Sequence, residues 1–118
     1  MKDLAALKVR YQRDPLSVQL GGLASNLTRA AWLMRRPGSR VQLAPIFRES
    51  KYFAEWAAGS AEPGVQATLA EVQVELAVWE RQLSRDGLSP AAAEQSTAWA
   101  GKLLSLAGLT EGAAERTV

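Results

Sequence analysis

The chain contains no cysteine and no histidine among its 118 residues. Without cysteine there are no disulfides and no thiolate nucleophile, and without histidine there is no imidazole for acid–base catalysis. Most zinc sites need one of these two residue types, so we expect no metal ion and no cofactor. Carboxylates, lysines and hydroxyls are the groups left for chemistry, and we predict that the protein is not an enzyme.

Long apolar runs are also missing. No stretch approaches the roughly 18 to 20 residues that a membrane-spanning helix requires. The first ten residues, MKDLAALKVR, lack the uninterrupted apolar stretch and the cleavage site of a secretion signal. We therefore expect a cytoplasmic protein without a membrane span, and its length suits a single domain with a core of its own.

Motifs that carry chemistry are absent as well. Neither a glycine-rich phosphate loop ending in Lys-Ser/Thr nor a GxSxG nucleophile elbow occurs in the sequence. Glu71 and Glu75 share a helix face, but their angular position places them near solvent, where carboxylates titrate normally. These two residues are therefore not catalytic candidates.

Charge is divided unevenly along the chain, although the net charge is only +2. Residues 1–51 hold ten Lys/Arg and three Asp/Glu, a net charge of +7, whereas residues 52–118 hold four and nine, a net charge of −5. The two halves either neutralise each other across neighbouring helices or form separate faces that steer charged partners. A simpler explanation than either is that the charged residues form ordinary solvated helix surfaces.

Apolar residues recur at helical spacing in four long segments, and the alternation typical of strands is nearly absent. The predicted inward rows are Leu16, Leu20, Leu23, Leu27, Ala30 and Met34; Ile46, Ser50, Phe53 and Ala57; Val65, Leu69, Val72, Leu76, Trp79 and Leu83; and Ala92, Ser96, Trp99, Leu103 and Leu106. Short turns between the helices favour antiparallel neighbours, so we predict an all-α, up-down antiparallel four-helix bundle. Residues 1–13 form a weak amphipathic segment that is compatible with a short extra N-terminal helix.

Capping residues and prolines predict where the helices begin. Asp14 is an expected N-cap because a proline follows it, and proline is tolerated in the first turn. Pro45 favours a helix start at Ala44 or Pro45 over the earlier cap at Ser39, since a proline inside a helix clashes with an earlier carbonyl.

Glycines predict where the last two helices end. Gly87 is expected to close the helix over 65–83 in a left-handed conformation. The final helix is expected to end at Gly108. This division leaves residues 1–108 as one helical domain and residues 109–118 as a flexible C-terminal tail.

Gly21 and Gly22 lie inside the first long apolar row. Each costs about 1 kcal/mol relative to alanine if the helix continues through it. Either the helix breaks there, or the missing side chains allow another backbone to approach closely. We favour the second explanation because the apolar row keeps its phase across both glycines.

The segment 65–83 carries a second apolar row on its back, formed by Ala67, Ala70, Val74 and Val78. At about 100° per residue, these four residues lie opposite the inward row. A helix with two apolar sides needs two packing partners, and small residues allow close approach. We predict that the four residues form the seam of a homodimer, the commonest assembly. Alternatively, the segment is the central helix of one chain and is wrapped by the N-terminal residues.

The four tryptophans are expected to differ in their surroundings. Trp79 and Trp99 lie on inward rows and are predicted to be core residues. Trp56 flanks an inward row and is predicted to be half-buried. Trp32 points away from its row, and Arg29 and Arg36 stand three residues before it and four residues after it.

Arg29, Trp32 and Arg36 form a candidate partner-binding surface. An acidic protein partner is the favoured ligand, because Trp and Arg dominate the energetics of interfaces. Nucleic acid is the alternative, with arginines on phosphates and the indole stacked on a base. The acidic second half of the chain argues against that alternative. The simplest explanation of this surface is structural: Trp32 packs beneath residues 1–13 or against a second subunit.

The segments DPLSVQLGGLASNLTR, ESKYFAEWAA and EVQVELAVWERQL resemble a family of small helical proteins of unknown function found in cyanobacteria. The resemblance covers roughly residues 10–108 and consists mainly of patterned helix faces. It implies a cytoplasmic, non-enzymatic protein from a photosynthetic cell. It carries over no activity and no binding residue.

Overall fold

The computed structural model describes residues 3–85 and 87–116, and within them it contains five helices and no strand. The helices are α1 (Leu4–Arg13), α2 (Leu16–Met34), α3 (Arg40–Ala58), α4 (Pro63–Ser84) and α5 (Ala92–Arg116). The predicted all-α class is confirmed, and the short extra helix at the N-terminus is present as α1.

Helix α1 is anchored by a single buried residue, Tyr11. The Tyr11 ring stacks on Phe53 of α3 with 4.1 Å between ring centroids, and its hydroxyl donates a hydrogen bond to the Gln19 carbonyl at 2.6 Å. Asp14 does not cap α2 as predicted, because its side chain makes no capping bond. Its backbone carbonyl instead accepts a hydrogen bond from the Gln19 side chain, which ties the α1–α2 junction together.

Helix α3 begins earlier than predicted, at Arg40, and includes Pro45 in its second turn. The expected start at Ala44 or Pro45 is therefore wrong. A proline inside a helix costs about 3 kcal/mol. The surrounding turns bury Leu43, Ile46 and Phe47. Each buried apolar side chain of this size contributes about 1.5 to 3 kcal/mol, so their packing offsets the cost of the proline.

Helices α3 and α4 pack side by side and run antiparallel. The Gln66 side chain near the start of α4 donates a hydrogen bond to the Ala58 carbonyl at the end of α3. About two turns further along α4, the Gln73 side chain donates to the Lys51 carbonyl, which lies about two turns earlier on α3. The Lys51 ammonium also forms a salt bridge with Glu80 of α4. Helix α4 buries its whole predicted inward row and ends as predicted, with Gly87 at φ 93°.

Helix α5 packs mainly against α2 and makes few contacts with α4. The Ser96 hydroxyl donates to the Leu27 carbonyl of α2 at 2.7 Å, so the two helices are in close contact here. The buried residues of α5 are mostly small: Ala92, Ala93, Ser96, Ala100, Leu103 and Ala107. Trp99 and Leu106 of the predicted row are only partly buried, because small residues suit the closely packed face better than large ones.

Helix α2 continues through Gly21 and Gly22 without a break. The predicted close approach of another backbone is wrong, since no backbone of another described element lies within 4 Å of a Cβ atom at either glycine. A Cβ atom added at Gly21 would meet nothing within 4 Å, and one added at Gly22 would lie 3.8 Å from the Tyr11 ring. The close contact on α2 occurs at Leu27 instead, opposite Ser96.

The predicted end of the last helix at Gly108 is wrong, because α5 continues through this residue to Arg116. The prediction of a flexible tail falls on residues 109–118, of which Thr117 and Val118 lie outside the described residues. The tail therefore stays a prediction. In the described part of the chain, no helix is long and apolar enough to cross a membrane.

Candidate interaction surfaces

The rear row of α4 is exposed along its whole length. Ala67 and Ala70 are exposed, and Val74 and Val78 retain 65% and 42% of their full accessibility. On the opposite side of the same helix, Leu69, Leu76 and Trp79 are at most 2% exposed. The pattern of two apolar sides is therefore correct, and the described part of the chain covers only one of them.

Residues 3–13, the part of the N-terminal segment that the structure describes, do not wrap α4. Helix α1 contacts α3 through the Tyr11 ring, and Gln12 of α1 reaches the Trp56 carbonyl on the same helix. The alternative in which α4 is the central helix of one chain is therefore wrong. Its rear row is left without a covering element in residues 3–85 and 87–116.

Arg29, Trp32 and Arg36 lie together at the surface near the end of α2. Trp32 is 56% exposed, and the Arg36 guanidinium carbon lies 4.3 Å from the centroid of its ring. That distance is typical of a cation–π contact, which holds the indole in place while part of it stays accessible. Trp32 therefore does not pack beneath the N-terminal residues.

A residue from α5 completes this surface. Leu104, 55% exposed, lies across from Trp32 and lines an open groove of about 380 Å³ with Arg29, Ala24 and Thr28. Leu104 is not among the residues predicted from the sequence, because the predicted inward row on α5 passes through Leu103. An apolar residue next to that row is the signal that could have found it.

Arginines dominate the rim of this groove and the turn that follows α2. Arg29, Arg35, Arg36 and Arg40 are exposed. None of the four forms a salt bridge with a side chain that the structure describes. A surface with this charge favours negatively charged partners.

The other tryptophans divide differently from expectation. Trp79 is buried as predicted, and its ring lies 5.9 Å from that of Phe47. Trp56 is more buried than predicted, at 7% exposure, because Tyr11 and Tyr52 pack against it. Trp99 is less buried than predicted, and the Lys102 ammonium lies 5.3 Å from its ring centroid.

Among the side chains of residues 3–85 and 87–109, no group of three or more acidic residues could hold a metal ion. Glu71 is exposed and Glu75 is partly exposed on the flank of the rear row. The arrangement offers surfaces for contact, formed by apolar and charged side chains on α2, α4 and α5.

Comparison with protein-family models, curated proteins and solved structures finds no match to this chain. The resemblance to small cyanobacterial proteins stays a prediction.

Proposed function

We propose that this chain is a non-enzymatic helical interaction module that forms a homodimer through the rear row of α4. The observation that carries the proposal is the exposure of Val74 and Val78 in the middle of a 22-residue helix. Fully burying a valine contributes about 1.5 to 3 kcal/mol relative to leaving it in water. A two-fold dimer would bury four such side chains at once, two from each copy.

The residues around these valines suit a helix as the covering element. Ala67 and Ala70 have small side chains, and small side chains allow two helix axes to come close. In the proposed arrangement, the four long helices of each subunit form an up-down antiparallel bundle, made of α2, α3, α4 and α5. As part of this proposal the protein is cytoplasmic and belongs to the small helical proteins that it resembles.

Light scattering on the wild type and on Val74→Glu tests the homodimer. We expect a dimeric wild type and a folded, monomeric variant, because a buried carboxylate in an apolar seam is strongly unfavourable. Val9→Glu on α1 is the matched control, since Val9 is 59% exposed and lies outside the seam. A wild type that is monomeric at all accessible concentrations would disprove the dimer.

The surface around Arg29, Trp32 and Arg36 supports a second proposed function, the binding of an acidic partner. An exposed indole held beneath a guanidinium, with further arginines around it, is the observation in its favour. An acidic protein is the preferred partner, and nucleic acid is the alternative. Interfaces are enriched in Trp and Arg in both cases.

A salt titration with a single-stranded oligonucleotide separates these partners. Binding to phosphates weakens steeply as salt rises, because counterions are released from the nucleic acid. If this surface binds nucleic acid, Arg29→Ala should weaken binding and reduce the salt dependence, whereas Arg13→Ala on α1 should have a smaller effect. Undetectable binding of the wild type at low salt rejects the nucleic-acid alternative.

A further inference from the structure

We propose that the two α4 helices of the dimer pair antiparallel, with Glu71 of each copy facing Arg81 of the other. The inference rests on the proposed homodimer and adds its orientation and register. It is carried by a seven-residue repeat of exposed residues on α4 that overlaps the rear row, and by the positions of two charged side chains, Glu71 and Arg81, on the same helix.

Five exposed residues of α4, three of them from the rear row, follow a seven-residue repeat. Ala67, Ala70, Val74, Ala77 and Arg81 are three and four positions apart, and all five are exposed. A 3-4-3-4 spacing keeps a contact row straight along a helix that packs against another at a small crossing angle. A second α4 helix presents a row of the same shape, so the two faces match each other.

The two charges lie on either side of Leu76 along α4, each five residues from it. Glu71 is on the N-terminal part and Arg81 is on the C-terminal part, ten residues and about 15 Å apart along the axis. Both side chains are exposed, and neither has a salt bridge to the side chains that the structure describes, those of residues 3–85 and 87–109. Glu80, by contrast, is already paired with Lys51 on the side of α4 that packs against α3.

These positions are self-complementary in only one orientation. A two-fold axis level with Leu76, midway between the two charges, brings each Glu71 next to the partner's Arg81. The same axis places the partner's Val78 near Val74, so the largest exposed apolar side chains of α4 cover one another. A parallel pair would instead place Glu71 against the partner's Glu71 and Arg81 against the partner's Arg81.

Charge reversal tests the orientation. In the antiparallel pair, Glu71→Arg places two arginines together at both ends of the interface, and Arg81→Glu places two glutamates together. We expect each single variant to raise the dimer dissociation constant about tenfold or more, measured by analytical ultracentrifugation. The double variant Glu71→Arg/Arg81→Glu restores the pairing and should return the dissociation constant to near the wild-type value.

Mixing the two single variants is the sharper form of this test. In the mixed dimer, arginine at position 71 of one copy faces glutamate at position 81 of the other, and the second end keeps its original pair. We expect the mixture to form a heterodimer more tightly than either variant dimerises alone. Glu55→Arg, an exposed charge reversal on α3, is the control and should leave the dissociation constant unchanged.

A distance measurement gives an independent result. Because the chain has no cysteine, Ser84→Cys accepts a single spin label at an exposed position on α4. The two label sites should be separated by about 24 Å along the axis in the antiparallel dimer. In a parallel pair they should be separated by about the interaxial distance of 8 to 10 Å.

The outcomes separate the orientation from the dimer itself. A wild type that never dimerises overturns both proposals. A dimer that Val74→Glu dissociates but Glu71→Arg leaves unchanged, with a short label distance, keeps the homodimer and overturns the antiparallel arrangement. Weakening by both single reversals, recovery in the mixture and the longer distance support it.

Discussion

The two sides of α4 are both apolar, yet the residues that the structure describes pack against only one of them. On the inner side, Val72 is 1% exposed and Leu76 is fully buried. On the outer side, Val74 is 65% exposed, although it is only two residues from each of them. Apolar character at a position therefore does not tell whether its side chain stabilises the fold or is available to another surface.

The difference between the sides lies in the residues that accompany the valines. The inner row also contains Leu69, Leu76 and Trp79, whose volume fills the space against α3. The outer row contains alanines, which bury little area within one chain but permit a second helix to approach. Substitutions on the two sides should therefore change different equilibria, unfolding on the inner side and association on the outer side.

Leu76→Ala should have the largest effect on the inner side. Removing a fully buried leucine costs about 2 to 5 kcal/mol, because transfer free energy is lost and a cavity remains. Chemical denaturation measures the resulting fall in the free energy of unfolding. A loss below about 1 kcal/mol would mean that the inner row is not packed as described.

Val72→Ala and Val74→Ala form a matched pair, since the same atoms are removed from opposite sides of one helix. We expect Val72→Ala to cost about 2 kcal/mol of unfolding free energy. Val74→Ala should change the free energy of unfolding of the dissociated chain by less than about 0.5 kcal/mol. The comparison fails if the two variants are equally destabilised at protein concentrations too low for association.

Tyr11 extends the comparison of buried and exposed sides to α1, where it is the one buried residue. Burial raises the pKa of its hydroxyl above the ordinary value, since the charged phenolate is disfavoured away from water. In the unfolded chain the tyrosine hydroxyl has a pKa of about 10. Because its pKa is higher in the folded protein, Tyr11 contributes fully to stability below about pH 10, and this contribution is lost as the pH rises further. We expect the free energy of unfolding to fall above pH 10.

Tyr11→Phe checks the origin of that fall. The variant loses the hydrogen bond to the Gln19 carbonyl, so its stability at neutral pH should be lower by about 1 kcal/mol. Its unfolding free energy should fall less steeply than that of the wild type at alkaline pH. An unchanged slope would assign the alkaline destabilisation to other groups.

Two buried serines test whether polar groups on the inner sides behave alike. The Ser96 hydroxyl bonds to the Leu27 carbonyl, whereas the Ser50 hydroxyl has no hydrogen-bond partner in the described part of the chain. Ser96→Ala should cost about 1 kcal/mol, and Ser50→Ala should be neutral or stabilise by a similar amount. Thermal unfolding of both variants measures the difference, and equal losses would contradict it.

Gly21→Ala should give the smallest change, a gain. The helix continues through Gly21 and a Cβ atom there meets nothing within 4 Å, so alanine fits without strain. Replacing glycine in a helix lowers the entropy of the unfolded chain and should stabilise by about 0.5 to 1 kcal/mol. Destabilisation by this variant, measured in the same denaturation assay, would show that a partner uses the open space at the glycine.

Local patterns in the sequence predicted the all-α class, the inward row of α4 and the left-handed Gly87. The first two features depend on helical periodicity and the third on the conformational freedom of glycine. All three can therefore be predicted from residues that are close together in the sequence. The second apolar row of α4 was also correctly placed opposite the first, for the same reason.

Features that depend on distant contacts were not predictable in this way. Helix α5 turns its small residues toward α2 because the helices pack closely at Ser96, a contact between residues 69 positions apart. Pro45 remains inside α3 because the side chains around it are buried by other helices. Leu104 joins the surface at Trp32 only because α5 lies beside α2.

The accessibility of Trp32 has a practical consequence for spectroscopy. Of the four indoles, Trp79 and Trp56 are enclosed, whereas more than half of Trp32 faces water. An aqueous quencher such as iodide should reduce the fluorescence of Trp32 in preference to that of the enclosed pair. The chain therefore carries an intrinsic optical reporter at the basic groove, and occupancy of that groove can be followed without an added label.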